Sequence, residues 1–213
     1  FNLCTSLRGA PQHAVVVPAL LDLLEIPYTG SGPLALMLAQ RRDRQRDLLH
    51  AAGVPTPRGL LLPAQPRDAE QDLEALRERQ LSYPLVLKPT PEGAASTVLS
   101  DHALLDRLAF LRQRQHQPIL CEEHIEGRAV SAWLQGPTPD VLDLLSPPNG
   151  HDVLPHRVLD RCEQAARAAF QALGLSDYGC VELRVAENGV PYVISLRAQC
   201  DLAEGKSFAL AAE

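Results

Sequence analysis

A lysine and two carboxylates carry the chemistry that this sequence offers most plainly. In YPLVLKPTPEG, residues 83–93, an apolar run at Leu85–Leu87 delivers Lys88 into a loop containing proline and glycine. In PILCEEHIEGR, residues 118–128, the run Ile119–Cys121 delivers Glu122 and Glu123, and a turn follows at Glu126-Gly127. Lys88 is one of only two lysines among 20 basic residues, so a lysine at the end of a buried strand is not generic surface charge. A strand-end cation beside a strand-end carboxylate suits a site that grips a polar, charged ligand against an apolar sheet. The same residues would serve equally as a Lys–Glu pair closing the edge of a core. This segment alone leaves both readings open.

The two segments resemble the nucleotide-binding half of the ATP-grasp ligases, and among them the D-alanine–D-alanine ligase group. Three further stretches agree in the same order: LLDLLEIPYTGSG at 20–32, LLHAAGVPTP at 48–57 and ALGLSDYGCVELRVAENGVPYVISL at 172–196. The resemblance therefore spans nearly the whole chain. It implies an α/β (α+β) ATP-grasp fold with a remnant of an N-terminal and central α/β domain at 1–55. A small lid subdomain would follow at 56–130 and a C-terminal antiparallel-sheet subdomain at 131–213, with nucleotide between these two. In that family a whole βα layer precedes the first matching segment, so the implied N-terminal domain is reduced. The resemblance puts Lys88 on the phosphates and near the adenine edge, and Glu122 on the adenine amino group. The backbone of Glu123–Ile125 would run along the ring. Gly93 and Ser96 stand in the loop that clamps phosphate, and Arg42 falls where the family has a second lysine.

Other positions depart from the family. The clamp reads Glu92-Gly93-Ala94-Ala95-Ser96-Thr97, with a single glycine, Ala129 replaces a ribose-binding acid, and Cys180 replaces a catalytic arginine. Of the three metal-ligand positions, Glu182 keeps its carboxylate, Ser195 is neutral and short, and Arg197 is cationic. Magnesium wants near-octahedral oxygen ligands. A fixed cation about 4 Å from the ion would cost several kcal/mol even at an effective dielectric of about 20. ATP is thus the expected cofactor, with magnesium not held in the family's manner. A swap, in which Arg197 and Arg184 supply positive charge in place of the metal, stays open. Active relatives also carry a lysine on a segment that folds over the ligands, whereas here no lysine occurs between Lys88 and Lys206. Two functions follow from the resemblance. One is a degenerate homologue with weak or no ligase activity, residual adenine-nucleotide binding and a binding or structural role. The other is an active ATP-dependent carboxylate–amine ligase working through an acyl phosphate.

The bulk properties fit either. With 213 residues, 46% of them hydrophobic and 22% charged, the chain has the composition of a globular protein with one large or two small cores. A net charge of −6 argues against nucleic acid, which needs clustered basic charge. The basic run Arg41–Arg46 reads as a solvated helix face. No apolar run approaches the roughly 20 residues that span a bilayer, and no signal peptide is evident, so a cytoplasmic protein is expected. The first residue is not Met, which suggests a processed or truncated start. Five widely spaced cysteines without a CxxC read as buried small hydrophobes rather than a zinc site or a disulfide framework. A homo-oligomer or a protein partner is left open.

The elements that must position these residues follow from periodicity and from turn residues. Phe1–Cys4 reads as the end of a strand, Val15–Glu25 as a helix and Pro33–Ala52 as one long helix stopped by Gly53 and Pro55. Arg58–Leu62 is a strand and Asp68–Gln80 a helix with acidic residues in its first turns. Leu85–Leu87 and Ile119–Cys121 are buried strands around a helix at Asp101–Gln115. Ala129–Gln135 is a strand, Pro137–Pro155 a loop and Leu159–Leu173 an amphipathic helix. Val181–Val185 and Tyr192–Leu196 pair through a tight Asn188-Gly189 turn, and Phe208–Ala212 begins a last helix.

Overall fold

The computed structural model describes residues 1–65, 68–90, 93–136, 138–145 and 154–200. After a short 3-10 helix at Pro11–His13, α1 runs over Val16–Leu23, α2 over Pro33–Gln40 and α3 over Arg42–Ala51. Next come β1 (Gly59–Leu62), α4 (Ala69–Glu78), β2 (Leu85–Pro89), β3 (Ser96–Val98), α5 (Asp101–Gln115) and β4 (Ile119–Glu123). The chain continues with β5 (Arg128–Gln135), β6 (Asp140–Leu145), α6 (His156–Ala172), β7 (Tyr178–Val185) and β8 (Pro191–Arg197). Contacts divide it into two units: Phe1–Gln40, Arg44–Thr56 and Glu126–Glu213 form the first, Arg41–Asp43 and Pro57–Ile125 the second.

The second unit is an antiparallel sheet in the order β1-β4-β2-β3 with two helices. Alternation sorts its side chains. Leu85, Leu87, Ile119 and Cys121 pack with Leu76 of α4 and with Leu104, Leu108 and Leu111 of α5. Val86, Lys88, Leu120 and Glu122 consequently belong to the opposite face. α5 starts where the Ser100 hydroxyl accepts from the Ala103 N–H at 3.3 Å and ends at His116, whose backbone is left-handed at φ 47°.

The first unit is an antiparallel sheet in the order β6-β5-β7-β8. The buried stripe of α6, Cys162, Ala165, Ala166, Ala169 and Phe170, recurs at helical spacing. It packs on Val130, Ala132, Val181, Leu183, Val193 and Leu196 of the sheet. Glu182 pairs with Ser195 and Leu183 with Val193, so the register shifts between them and Ile194 is the extra residue of a bulge. The bulge lets Val193 and Leu196, three positions apart, both reach the core. It also leaves Ser195 and Arg197 on the other face, with Cys180 and Glu182.

Several expected elements change. Phe1–Cys4 joins no ladder among the described residues: the Asn2 N–H donates to Thr29 Oγ1 at 3.0 Å and the Cys4 N–H to Asn2 Oδ1 at 3.2 Å. The long helix from Pro33 breaks at Arg41. Gln45 Nε2 donates to the Ala39 carbonyl, which an unbroken helix would bond through its own ladder, and to the Leu196 carbonyl at 3.1 Å. Gln45 Oε1 accepts the Leu196 N–H at 3.2 Å. The expected loop at 137–155 contains β6, paired to β5 from Ser131↔Leu145 to Gln135↔Asp140. The β7–β8 turn is a three-residue loop closed by an Ala186 N–H to Val190 O bond at 3.0 Å, with Gly189 at φ 74°. Phe208–Ala212 and Lys206 lie outside the described residues. Among the described residues no helix is long and apolar enough to cross a membrane.

Gln45 is buried, and its amide serves α2 and β8 at once. Gln45→Ala strands the Leu196 N–H and C=O without a partner, and should lower the unfolding free energy by about 2 kcal/mol. Urea unfolding of the two proteins checks this; a loss below about 0.5 kcal/mol would mean that water replaces the amide without cost.

Candidate functional site

Lys88 closes β2 and Glu122 sits in β4. Their strands pair so that Lys88 faces Leu120 and Val86 faces Glu122. Lys88 and Glu122 are thus diagonal neighbours on one face, within reach of long side chains. The ammonium lies 2.6 Å from Glu122 Oε2, and both side chains are buried, 8% and 5% exposed. Glu122 Oε2 is buried, and this ion pair with Lys88 is its contact among the described residues. Gly59 stands opposite Glu122 in β1. A Cβ at Gly59 would lie 2.4 Å from the Cys121 carbonyl and 2.7 Å from Glu122 Cγ, so only glycine leaves the glutamate stem its room.

Glu123 turns the other way. Its carboxylate takes the Arg58 backbone N–H at 2.9 Å and the Arg58 guanidinium at 2.9 Å. The Glu123 and His124 N–H groups donate to the carbonyls of Arg58 and Pro84 at 2.9 and 3.0 Å. The Ile125 N–H has no protein acceptor among the described residues. Along Glu122–Ile125 a carboxylate ion-paired with Lys88 and an amide without a protein acceptor among the described residues therefore lie three residues apart. Cys121, between the core and this face, has its thiol pushed up to about 12 by burial, then by the charges of Glu122 and Asp72. It is an inert, protonated core residue.

The loop after Lys88 is held at both ends. Arg42 Nη1 donates to the carbonyls of Pro89 and Gly93 at 3.2 and 2.8 Å. Beside it Asp43, itself bound by Arg41 at 2.7 Å, accepts the buried Thr90 hydroxyl at 3.0 Å. Ser96 and Thr97, expected in the loop, form β3 opposite Leu87 and Val86, which shortens the loop. The Ser96 hydroxyl accepts from Arg107 Nε at 3.0 Å. Sequence reading missed Gly59, Arg58 and Arg107. Gly59 and Arg58 act through partners more than 60 residues away that only strand pairing brings near, and Arg107 acts from α5 on Ser96.

On the first unit's outer sheet face, two rows of side chains run across three strands. Ser131, Glu182 and Ser195 form one row, and Trp133, Cys180 and Arg197 the next. Arg197 Nη2 lies 2.9 Å from Glu182 Oε1 and 3.6 Å from Cys180 Sγ, and its guanidinium carbon is 6.0 Å from the Trp133 ring centre. Burial works to lower the Arg197 pKa, but the charges of Glu182 and Cys180 outweigh it and raise the pKa overall. Burial raises that of Cys180, and the nearby guanidinium only partly opposes the rise. The set around Glu182 is therefore its own carboxylate, two serine hydroxyls and one guanidinium. It does not fit a divalent cation, which needs several oxygens and no competing positive charge. No group of three or more His, Cys, Asp or Glu side chains suited to a metal occurs among the described residues.

No family model matches the chain. It is 28% identical over 212 residues to the D-alanine–D-alanine ligase of a Synechococcus strain, covering 90% of this chain and 64% of that enzyme. To the D-alanine–D-alanine ligase of Nitrosospira multiformis it is 30% identical over 209 residues, covering 89% and 66%. The fold matches the D-alanine–D-alanine ligase of Bacillus anthracis complexed with ATP, with a TM-score of 0.79 at 22% identity over 92% of this chain and 66% of that one. The chain is a D-alanine–D-alanine ligase-like ATP-grasp protein. It spans 64% of the length of the Synechococcus relative. The α/β ATP-grasp architecture expected from the resemblance is the fold of this protein, and it takes the form of two antiparallel sheets with helices.

The buried Lys88–Glu122 pair gives a stability prediction. Lys88→Ala leaves an uncompensated buried carboxylate and should cost about 3–5 kcal/mol. Lys88→Met combined with Glu122→Leu removes both charges and should recover most of that loss. Urea unfolding of the three proteins decides it: a double variant as unstable as the single one would show that the charge pair is not what stabilises these strands.

Proposed function

We propose that this ATP-grasp protein is a degenerate ligase homologue that binds an adenine nucleotide without depending on magnesium and has weak or no ligase activity. The observation that carries the reading is the Arg197 guanidinium on Glu182 at 2.9 Å. By resemblance these are two of three metal-ligand positions, and the third, Ser195, is a neutral hydroxyl. A cation entering there would first have to displace an arginine from the one carboxylate. Adenine recognition is supported separately. The Glu122 carboxylate, paired with Lys88, suits an exocyclic amine, and the Ile125 N–H, without a protein acceptor among the described residues, suits the adjacent ring nitrogen. In this reading Lys88 neutralises phosphate, while Arg42 shapes the phosphate loop by holding Pro89 and Gly93. The Gly93 carbonyl and the Ser96 hydroxyl accept from Arg42 and Arg107, which leaves the Gly93 N–H and the Ser96 O–H as the groups that would donate to phosphate. The described cysteines are unbridged, which suits a reducing, cytoplasmic setting and a role as a binding or structural partner.

The competing reading is an active carboxylate–amine ligase, favoured by the 28–30% identity to ligases and by the lysine and glutamate in place. Calorimetric titration of ATP with and without magnesium separates the two. The degenerate reading expects the ion to change affinity less than about tenfold, or 1.4 kcal/mol. A larger gain, or steady turnover of ATP with amino acids, would overturn it.

A restoration experiment tests the same site in reverse. Ser195→Glu with Arg197→Asn removes the repulsion and supplies an acid and an amide beside Glu182. Because both changes act on one ion, the magnesium affinity of the double variant should exceed the sum of the single effects. Strict additivity would show that Glu182 does not take part in holding the ion.

A further inference from the structure

Nucleotide phosphates need a positive partner to meet their charge, and a fixed guanidinium can supply one as well as a metal ion can. The outer sheet face of the first unit holds such a group in place. Arg197 Nη2 lies 2.9 Å from Glu182 Oε1 and 3.6 Å from Cys180 Sγ, and the guanidinium carbon stands 6.0 Å from the Trp133 ring centre. Cys180 and Trp133 are buried, so two of these contacts come from side chains with little room to move. A guanidinium carries five N–H donors. Only those of Nη2 are engaged; the Nε and Nη1 hydrogens have no acceptor among the described residues. The side chain is 52% exposed, so this unused edge is open to a ligand.

The charge around it has the sign that an anion requires. Val181, Leu183 and Val185 point into the core, which places Arg184 on the outer face with Cys180 and Glu182. Among the described side chains that β5, β7 and β8 present there, two guanidiniums stand against one carboxylate. This is a positive patch on a chain whose net charge is −6. A divalent ion would add to the excess, whereas an anion relieves it.

We propose that Arg197 serves in place of magnesium, binding the phosphates of a metal-free adenine nucleotide while Glu182, Cys180 and Trp133 hold it in position. This role rests on the adenine-nucleotide reading of the protein. The ligand is then the free polyphosphate anion rather than a metal–nucleotide complex, and the part of Glu182 is reversed. A carboxylate that held a metal would strengthen nucleotide binding. This one orients the arginine and competes with phosphate for it.

The test is calorimetric titration of the full chain with ATP and with adenosine, both in the presence of a chelator. Arg197→Gln should weaken ATP binding by about tenfold or more and leave adenosine binding unchanged, and Arg197→Lys should retain part of the ATP affinity. Glu182→Gln keeps an acceptor for Arg197 but removes the competing charge, so it should tighten metal-free ATP binding severalfold. ATP affinity unaltered by Arg197→Gln, or weakened by Glu182→Gln, would overturn the role of Arg197 alone and leave the nucleotide reading standing. Loss of adenosine binding along with ATP in Arg197→Gln would show a structural role and overturn it too. A wild-type protein that binds neither ligand would overturn both.

Discussion

A buried lysine and a buried glutamate can coexist in this fold only as a pair, and the second unit is built to keep them one. Desolvating either alone costs several kcal/mol, so β2 and β4 must hold a register that makes Lys88 and Glu122 diagonal neighbours. A slip of β2 by one residue would turn Lys88 into the core formed with α4 and α5, bring Leu87 out of it and leave Glu122 unpaired. Gly59 belongs to the same constraint, since any side chain there would push on the glutamate stem. Apolar patterning and charge pairing thus specify one strand alignment.

The first unit solves an analogous problem with charges at its surface. Glu182 and Arg197 are about half exposed, 42% and 52%, so their attraction is screened and contributes little to stability. Its importance is chemical: it occupies the carboxylate. The bulge at Ile194 makes this geometry by returning Leu196 to the core while keeping Arg197 in line with Cys180 and Trp133. A single inserted residue therefore decides which cation faces Glu182.

What the sequence made legible depends on the range of the interaction. Lys88, Glu122 and the Cys180–Arg197 hairpin could be placed because apolar alternation and the turn at Glu187-Asn188-Gly189 are local. The helix break at Arg41 could not, because its cause is a glutamine amide bonded to a strand about 150 residues further on. Periodicity registers apolar faces, not the side chain that takes over a helix carbonyl. β6 was hidden for a related reason: the six residues Asp140–Leu145 sit inside a stretch rich in proline, aspartate and glycine, and their pairing with β5 is not local in the sequence. Arg42 was read for its charge, whereas its position commits the guanidinium to the carbonyls of Pro89 and Gly93.

The glutamine at position 45 has a consequence for life in a crowded solution. β8 is the outermost strand of its sheet. An outermost strand offers a row of unused backbone donors and acceptors to any passing chain. Here the Gln45 amide meets both polar groups of Leu196, and the Pro55 carbonyl accepts the Val193 N–H at 2.8 Å. The rim is thereby sealed by groups from another part of the chain. A foreign strand would have to evict a side-chain amide and a proline-anchored turn before it could add itself, which guards this edge of the sheet against strand addition.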